Sequence, residues 1–237
     1  MITEELSLPL TDEQIAIEQA NFISKVYAWM AASLVVTGLV AIFTFSVPQL
    51  AELIYHNNII YYGLLLCELA VLVYLSFVID DISAQEATAL LLIFAAFNGL
   101  TLSVIFLIYT SGSIATTFFV TAGTFAVMSA YGYYTKRDLT TVGNIAFMGL
   151  LGVIIASAVN FFLQNETLHW IMTYVGVLIF TALIAYDTQK IKETNILGNS
   201  GTAEDRKEAI MGALELYLNF INLFLRLLDI FGKRKDD

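Results

Sequence analysis

This sequence is short of most things a water-soluble protein uses. Only 14% of its 237 residues are charged, against about 25% in an ordinary soluble domain. It has one cysteine, Cys67, which excludes a disulfide framework and a cysteine-based metal site. Its two histidines, His56 and His169, lie far apart and leave little for a histidine-based site. Two prolines in the whole chain exclude a proline-rich disordered protein. Cations are in the minority, 11 Lys and Arg against 21 Asp and Glu, and the net charge of −10 argues against nucleic acid as a partner. There is no His-Glu-x-x-His, no Gly-x-Ser-x-Gly, no phosphate-binding Walker loop and no dinucleotide fingerprint. The expectation is a protein that is not an enzyme, with no cofactor and no resident metal.

What the chain has is apolar surface, with 58% hydrophobic residues. No charge falls between Lys25 and Glu52, none between Glu86 and Lys136, and none in Leu139–Asn165 or Thr167–Tyr186. A helix needs about 20 mostly apolar residues to cross a bilayer. Unpaired backbone groups are costly in lipid, so such segments are helical. A barrel would need short alternating strands, and these runs do not alternate. The reading is an all-α membrane protein. Its apolar segments are Val26–Ser46, Ile59–Ile79, Ala87–Tyr109, Ile114–Tyr134, Val142–Leu163, Leu168–Tyr186 and Ala209–Phe231.

Residues 1–21, with Glu4, Glu5, Asp12, Glu13 and Glu18, read as an acidic cytosolic arm lacking the pattern of a secretory signal. Residues 22–232 form the transmembrane domain and 233–237 a short charged tail. The one sizeable soluble loop is Thr188–Glu208. Lys25, Lys136, Arg137, Lys190, Lys192, Arg206 and Lys207 all fall on the side of the N-terminus, and the loops after the first, third and fifth segments hold no cation. This bias predicts a cytosolic N-terminus. The tail Lys233-Arg234-Lys235 opposes it, unless the last segment stops short of a full crossing.

Ionisable residues within spans are costly and mark interiors or water-filled paths. Glu68 lies midway along the second segment, and Asp187 closes the sixth. The seventh carries Glu215, Asn219, Asn222, Arg226 and Asp229. Their spacing of four, three, four and three puts all five on one helix face. That stripe either pairs locally, with Arg226 close to Asp229 and Asn222, or lines a polar path. The remaining face of Leu, Ile and Phe is free for lipid or neighbouring helices. His169 beside Trp170 reads as an interfacial anchor. Gly38, Gly99, Gly123, Gly149, Gly152 and Gly176 read as close-packing contacts.

Four stretches carry a resemblance. They are Gly99-Leu-Thr-Leu-Ser103-Val-Ile-Phe, Tyr131-Gly-Tyr-Tyr-Thr-Lys-Arg-Asp138-Leu, Ala185-Tyr-Asp187-Thr-Gln-Lys190 and Leu216-Tyr-Leu-Asn-Phe-Ile-Asn-Leu-Phe224. In this order, over about residues 20–234, the chain resembles the Bax inhibitor-1 family in its bacterial inner-membrane branch. The resemblance implies a seven-transmembrane-helix bundle with the last helix near the centre, placed as a multi-pass protein in the bacterial inner membrane. It also implies a pH-sensitive calcium leak, closed when two aspartates of the last two helices share a proton-sensitive contact. Asp187 matches the first of these. The second falls on Asn219, and an Asn–Asp pair cannot share a titrating proton between two carboxylates. Glu68 matches a glutamate of the family's second helix. The arginine often found near that helix's end has no counterpart in Ile79-Asp80-Asp81. Arg226 and Asp229 depart from the pattern as well, an Arg being common at the second position.

The expected function is therefore a calcium or cation leak gated near Asp187, carboxylate oxygens being suited to calcium. Glu215, one turn before Asn219, is a candidate for the displaced acid, or a carboxylate favoured near a helix start. The rival reading is a regulator of a membrane-bound protease, which some bacterial relatives resemble in action, with the acidic arm as contact. A transporter is a third option, but no inverted repeat or paired broken helices are apparent.

Overall fold

A computed structural model describes residues 11–235. Its elements are α1 (Asp12–Ser46), α2 (Pro48–Tyr55), α3 (Asn58–Val78), α4 (Ala84–Leu102), α5 (Ile105–Ile108), α6 (Ser111–Tyr134), α7 (Thr140–Leu163), α8 (Glu166–Thr194) and α9 (Ala203–Phe231). No strand occurs among the described residues. Seven of these units are long and apolar enough to cross a membrane, with α4 and α5 counting as one.

Local chemistry sets most of the helix ends. Thr11 and Gln14 form a capping box at the start of α1, and Ser83 and Glu86 do the same for α4. Asn57, Thr110, Asn165 and Thr202 each accept a backbone N–H of the first turn of α3, α6, α8 and α9. Pro48 cannot continue α1, and Val47 before it is extended. The third apolar segment is not one unbroken helix. It pauses between Leu102 and Ile105, where Ser103 bonds back to the Leu100 carbonyl.

The charged helix ends also correct the loop expected over Thr188–Glu208. α8 runs on to Thr194, and α9 begins at Ala203, leaving only 195–202 between them. Apolarity marks where the bilayer is, and these helices extend beyond it into water. Gly198 and Gly201, both at φ 85°, make the turn. The first helix likewise begins at Asp12 instead of near Val26, and its polar overhang has a use. Lys25 pairs with Asp205 at 2.5 Å, and Asp205 also accepts the Gly201 N–H. Glu18 accepts the Gly198 N–H, and Arg206 stacks on Trp29. The overhang thus clamps the α8–α9 turn. Residues 1–10 of the expected acidic arm lie outside the described residues.

α9 is the centre of the bundle. It packs against α1, α4, α6 and α8. Within its apolar window 67% of residues are buried, against 11% in α3 and α7. Leu216, Tyr217, Leu223 and Leu228 are almost wholly enclosed. The apolar face of α9 therefore meets other helices, not lipid.

Close packing uses few of the expected glycines. Gly99 lies against the Thr37 carbonyl, and a Cβ there would collide with backbone. Gly149 and Gly176 touch only side chains, while Gly38, Gly123 and Gly152 border open space. The tightest approach is at Gly132, against the Ala185 carbonyl, where α6 crosses α8.

The last helix is long and apolar enough for a full crossing. At about 1.5 Å per residue its 29 residues span about 43 Å. Beyond it, Thr110 N–H donates to the Lys233 carbonyl and Lys235 N–H to the Ile108 carbonyl, each at 3.0 Å. Tyr109 and Arg234 form an antiparallel bridge. The basic tail is thus docked beside the turn after the third span, at the end of the bundle whose loops carry no other cation.

Candidate functional site

The polar stripe of α9 faces a cleft of about 700 Å³. α7, α8 and α9 form its walls, and Leu72 of α3 reaches its far side. Phe147, Leu150, Val153 and Ile154 of α7 make one wall apolar. Asp187, Lys190, Glu215, Asn219, Asn222 and Arg226 supply most of the polar lining, with Asn144 and Ser157 of α7 opposite.

Two antiparallel helices set these groups opposite each other as rungs. Asp187 of α8 faces Asn219 of α9, whose Nδ2 donates to Asp187 Oδ2 at 2.6 Å. One turn away, Lys190 Nζ lies 3.1 Å from Glu215 Oε1. The chain runs up α8 and down α9, so residues 187 and 190 meet 219 and 215 in reverse order. Glu215 is thus bonded to Lys190, and Asp187 to Asn219. Asn222 turns its amide N–H₂ back to the Leu218 carbonyl of its own helix. The Arg226 side chain lies across Gly176 of α8, with Nε 3.1 Å from where a Cβ would stand. It makes no ion pair within 4.0 Å among the described residues.

Asp229 belongs to a separate cluster near the end of α9. Its carboxylate accepts from Thr173 at 3.0 Å and Tyr109 at 3.3 Å, and His169 Nε2 lies 2.8 Å away. His169, expected as an interfacial anchor, also ties α8 to α9. Trp170 stacks on Tyr174 beside it. A second cavity of about 300 Å³ lies here, lined by Tyr109, Asn222, Arg226 and Asp229 among others.

Glu68 stands apart from the cleft. It is buried, accepting from Thr101 Oγ1 at 2.6 Å and Asn98 Nδ2 at 3.2 Å. Asn98 Oδ1 in turn accepts from Tyr217 at 2.9 Å, and Tyr217 shares a hydrogen bond with Thr37 at 2.8 Å. This network joins α1, α3, α4 and α9. Sequence reasoning missed Asn98 and Tyr217. The usable signal was the Asn98 amide within an uncharged span, three residues from Thr101. A second network was also missed: Ser129 of α6 bonds to Thr188 of α8 at 2.9 Å and to Tyr27 of α1.

Replacing Tyr217 by Phe strands Asn98 Oδ1 without its donor. Hydrogen bonds between membrane helices are worth about 0.6–1.7 kcal/mol. The expected result is a melting temperature about 2–6 °C lower in detergent. An unchanged value would remove this network from the stability of the bundle.

Outside the spans, Asp138 caps the approach to α7. The Thr140 hydroxyl and N–H beside it hold its carboxyl below the usual carboxylate range. Among the described residues, no three His, Cys, Asp or Glu gather as a metal site.

A chain of seven apolar spans, with a buried central helix that turns a polar face into a cleft, is a polytopic integral membrane protein. A family model described as "Inhibitor of apoptosis-promoting Bax1" matches residues 19–236. The chain belongs to this Bax inhibitor-1 family. It is 47% identical to "Inner membrane protein YbhL" of Escherichia coli K12 over 216 residues, covering 91% of this chain and 92% of that one. A Borreliella burgdorferi protein of uncharacterized function is 40% identical over 231 residues, covering 97% of this chain and 100% of that one. Rickettsia prowazekii RP147, also uncharacterized, is 41% identical over 219 residues, 91% of each chain. The spans and this relationship make it a multi-pass inner-membrane protein.

Proposed function

We propose that the protein is a non-enzymatic, pH-responsive cation leak of the inner membrane, with calcium as a permeant ion and Asp187 at its gate. The single observation behind this reading is the Asp187–Asn219 hydrogen bond at 2.6 Å in the wall of the polar cleft. It joins the last two helices where the family resemblance puts its proton-sensitive contact. A carboxylate set in an apolar span attracts cations and changes charge with pH. Asn219 makes the contact differ from an acid pair. Its amide can donate to the ionised carboxylate, and its carbonyl can accept from the protonated acid. The contact survives on both sides of the titration, so the pH response is shallow, with the weight of one proton.

Calcium flux into liposomes holding the purified protein, across a pH series, tests this. Protein-dependent flux that changes with pH supports the leak. Flux equal to that of empty liposomes overturns it. Co-purification of a membrane-bound protease, without flux, would favour a regulator of that protease.

A further inference from the structure

Arg226 stands where the two cavities meet. The cleft and the outer cavity share only Asn222 and Arg226 among their linings. A path from Asp187 through these two cavities toward the end of the bundle bearing the tail runs past this guanidinium. An arginine inside a span is costly and is usually paired. This one has no carboxylate within 4.0 Å among the described residues. The nearest acid along its own helix, Asp229, is held by Tyr109, Thr173 and His169. The Asn222 amide N–H₂ donates to the Leu218 carbonyl of its own helix, and Asp229 acts on the guanidinium from beyond ion-pair distance, offsetting part of its charge. Across the cleft, Asp187 is bonded to Asn219 and Glu215 to Lys190.

We infer that Arg226 is the valence filter of this path: a fixed positive charge lining both cavities that slows divalent cations far more than monovalent ones. The inference rests on the cation-leak reading and deepens it. A fixed charge raises the energy of a passing ion in proportion to the ion's own charge. If the potential at the junction slows a monovalent ion by a factor n, it slows a divalent ion by n squared. Shape alone has no such law. A bulky side chain that merely narrowed the path would not follow the square of the charge.

The test measures potassium and calcium flux side by side in liposomes for the parent protein, Arg226→Gln, Asn222→Lys and Asp187→Asn. Arg226→Gln is expected to raise potassium flux about tenfold and calcium flux about a hundredfold. Asn222→Lys adds a second cation at the same junction and is expected to lower both, again with calcium changing as the square of potassium. This variant keeps the test decisive if Arg226→Gln fails to fold. Equal changes in both ions would overturn the filter. So would unchanged flux in Arg226→Gln and Asn222→Lys while Asp187→Asn alters it, an outcome that leaves the leak reading standing. If the parent itself passes no more ions than empty liposomes, the leak reading falls and the filter with it.

Discussion

Replacing Asp187 by Asn is expected to lower cation leak about tenfold and to flatten its dependence on pH. The two side chains have the same shape, and an Asn–Asn contact retains a hydrogen bond between α8 and α9. What is lost is one negative charge in the cleft wall, and with it the proton that Asp187 takes up and releases. At an effective dielectric constant of about 20, a unit charge acts on another about 10 Å away with about 1.7 kcal/mol. About 1.4 kcal/mol already makes a factor of ten in rate. Calcium carries two charges, so its flux falls further than that of potassium. The measurement is flux against pH in liposomes for parent and variant, with melting temperatures compared in detergent to show that the bundle is intact. Flux and pH profile overlaying those of the parent, at unchanged stability, would sink a gating role for Asp187.

The sequence made the spans readable and hid their ends. Hydropathy falls off where lipid stops, and α1, α8 and α9 do not stop there. The polar turns of α8 and α9 are helical because Thr202 caps one and the Lys25–Asp205 clamp holds the turn between them. A composition window scores those same charged residues as loop. The four-three-four-three spacing on α9 was legible because it is local to one helix. It did not say which way the stripe faced. The structure turns the apolar side of α9 into the bundle and the polar side into the cleft, since Leu216, Tyr217, Leu223 and Leu228 fill the space between α1, α4 and α6.

Pairings between distant elements were the least legible part. Nothing in the residues near His169 points to Asp229, 60 positions along in this sequence. Their meeting follows only from α8 and α9 being antiparallel neighbours of full length. The same register sets Lys190 against Glu215, which sequence spacing had offered as a displaced partner for Asp187. The tail is a similar case. Its charges argued against a seventh crossing, while backbone pairing with Thr110 and Ile108 holds it beside the turn after the third span. The charge bias is a statistical preference over loops, whereas the docked tail is held by specific hydrogen bonds.

Restoring an acid at position 219 gives the second large effect. Asn219→Asp sets two carboxyl groups at the contact where 2.6 Å now separates amide from carboxylate. Two carboxylates at that distance cannot both ionise without strong repulsion. At low pH they share a proton and hold α8 against α9. As pH rises both become charged, and the contact proposed to close the path is driven apart. The pair then titrates as a unit, in two macroscopic steps. The parent contact persists through its single titration, so its profile stays shallow. The variant is therefore expected to leak less than the parent under acid conditions and more under alkaline ones, with at least about a tenfold change across the transition. Lys190 and Glu215, bonded to each other one turn away, carry opposite charges and do not relieve the repulsion. The check is a flux–pH curve for Asn219→Asp beside the parent, with Asp187→Asn/Asn219→Asp as a control that holds a single acid on the opposite helix. A steep curve in the single variant and a shallow one in the double variant would establish the acid pair as the source. Identical curves for Asn219→Asp and the parent would show that closure does not depend on this contact, whatever carries the ions.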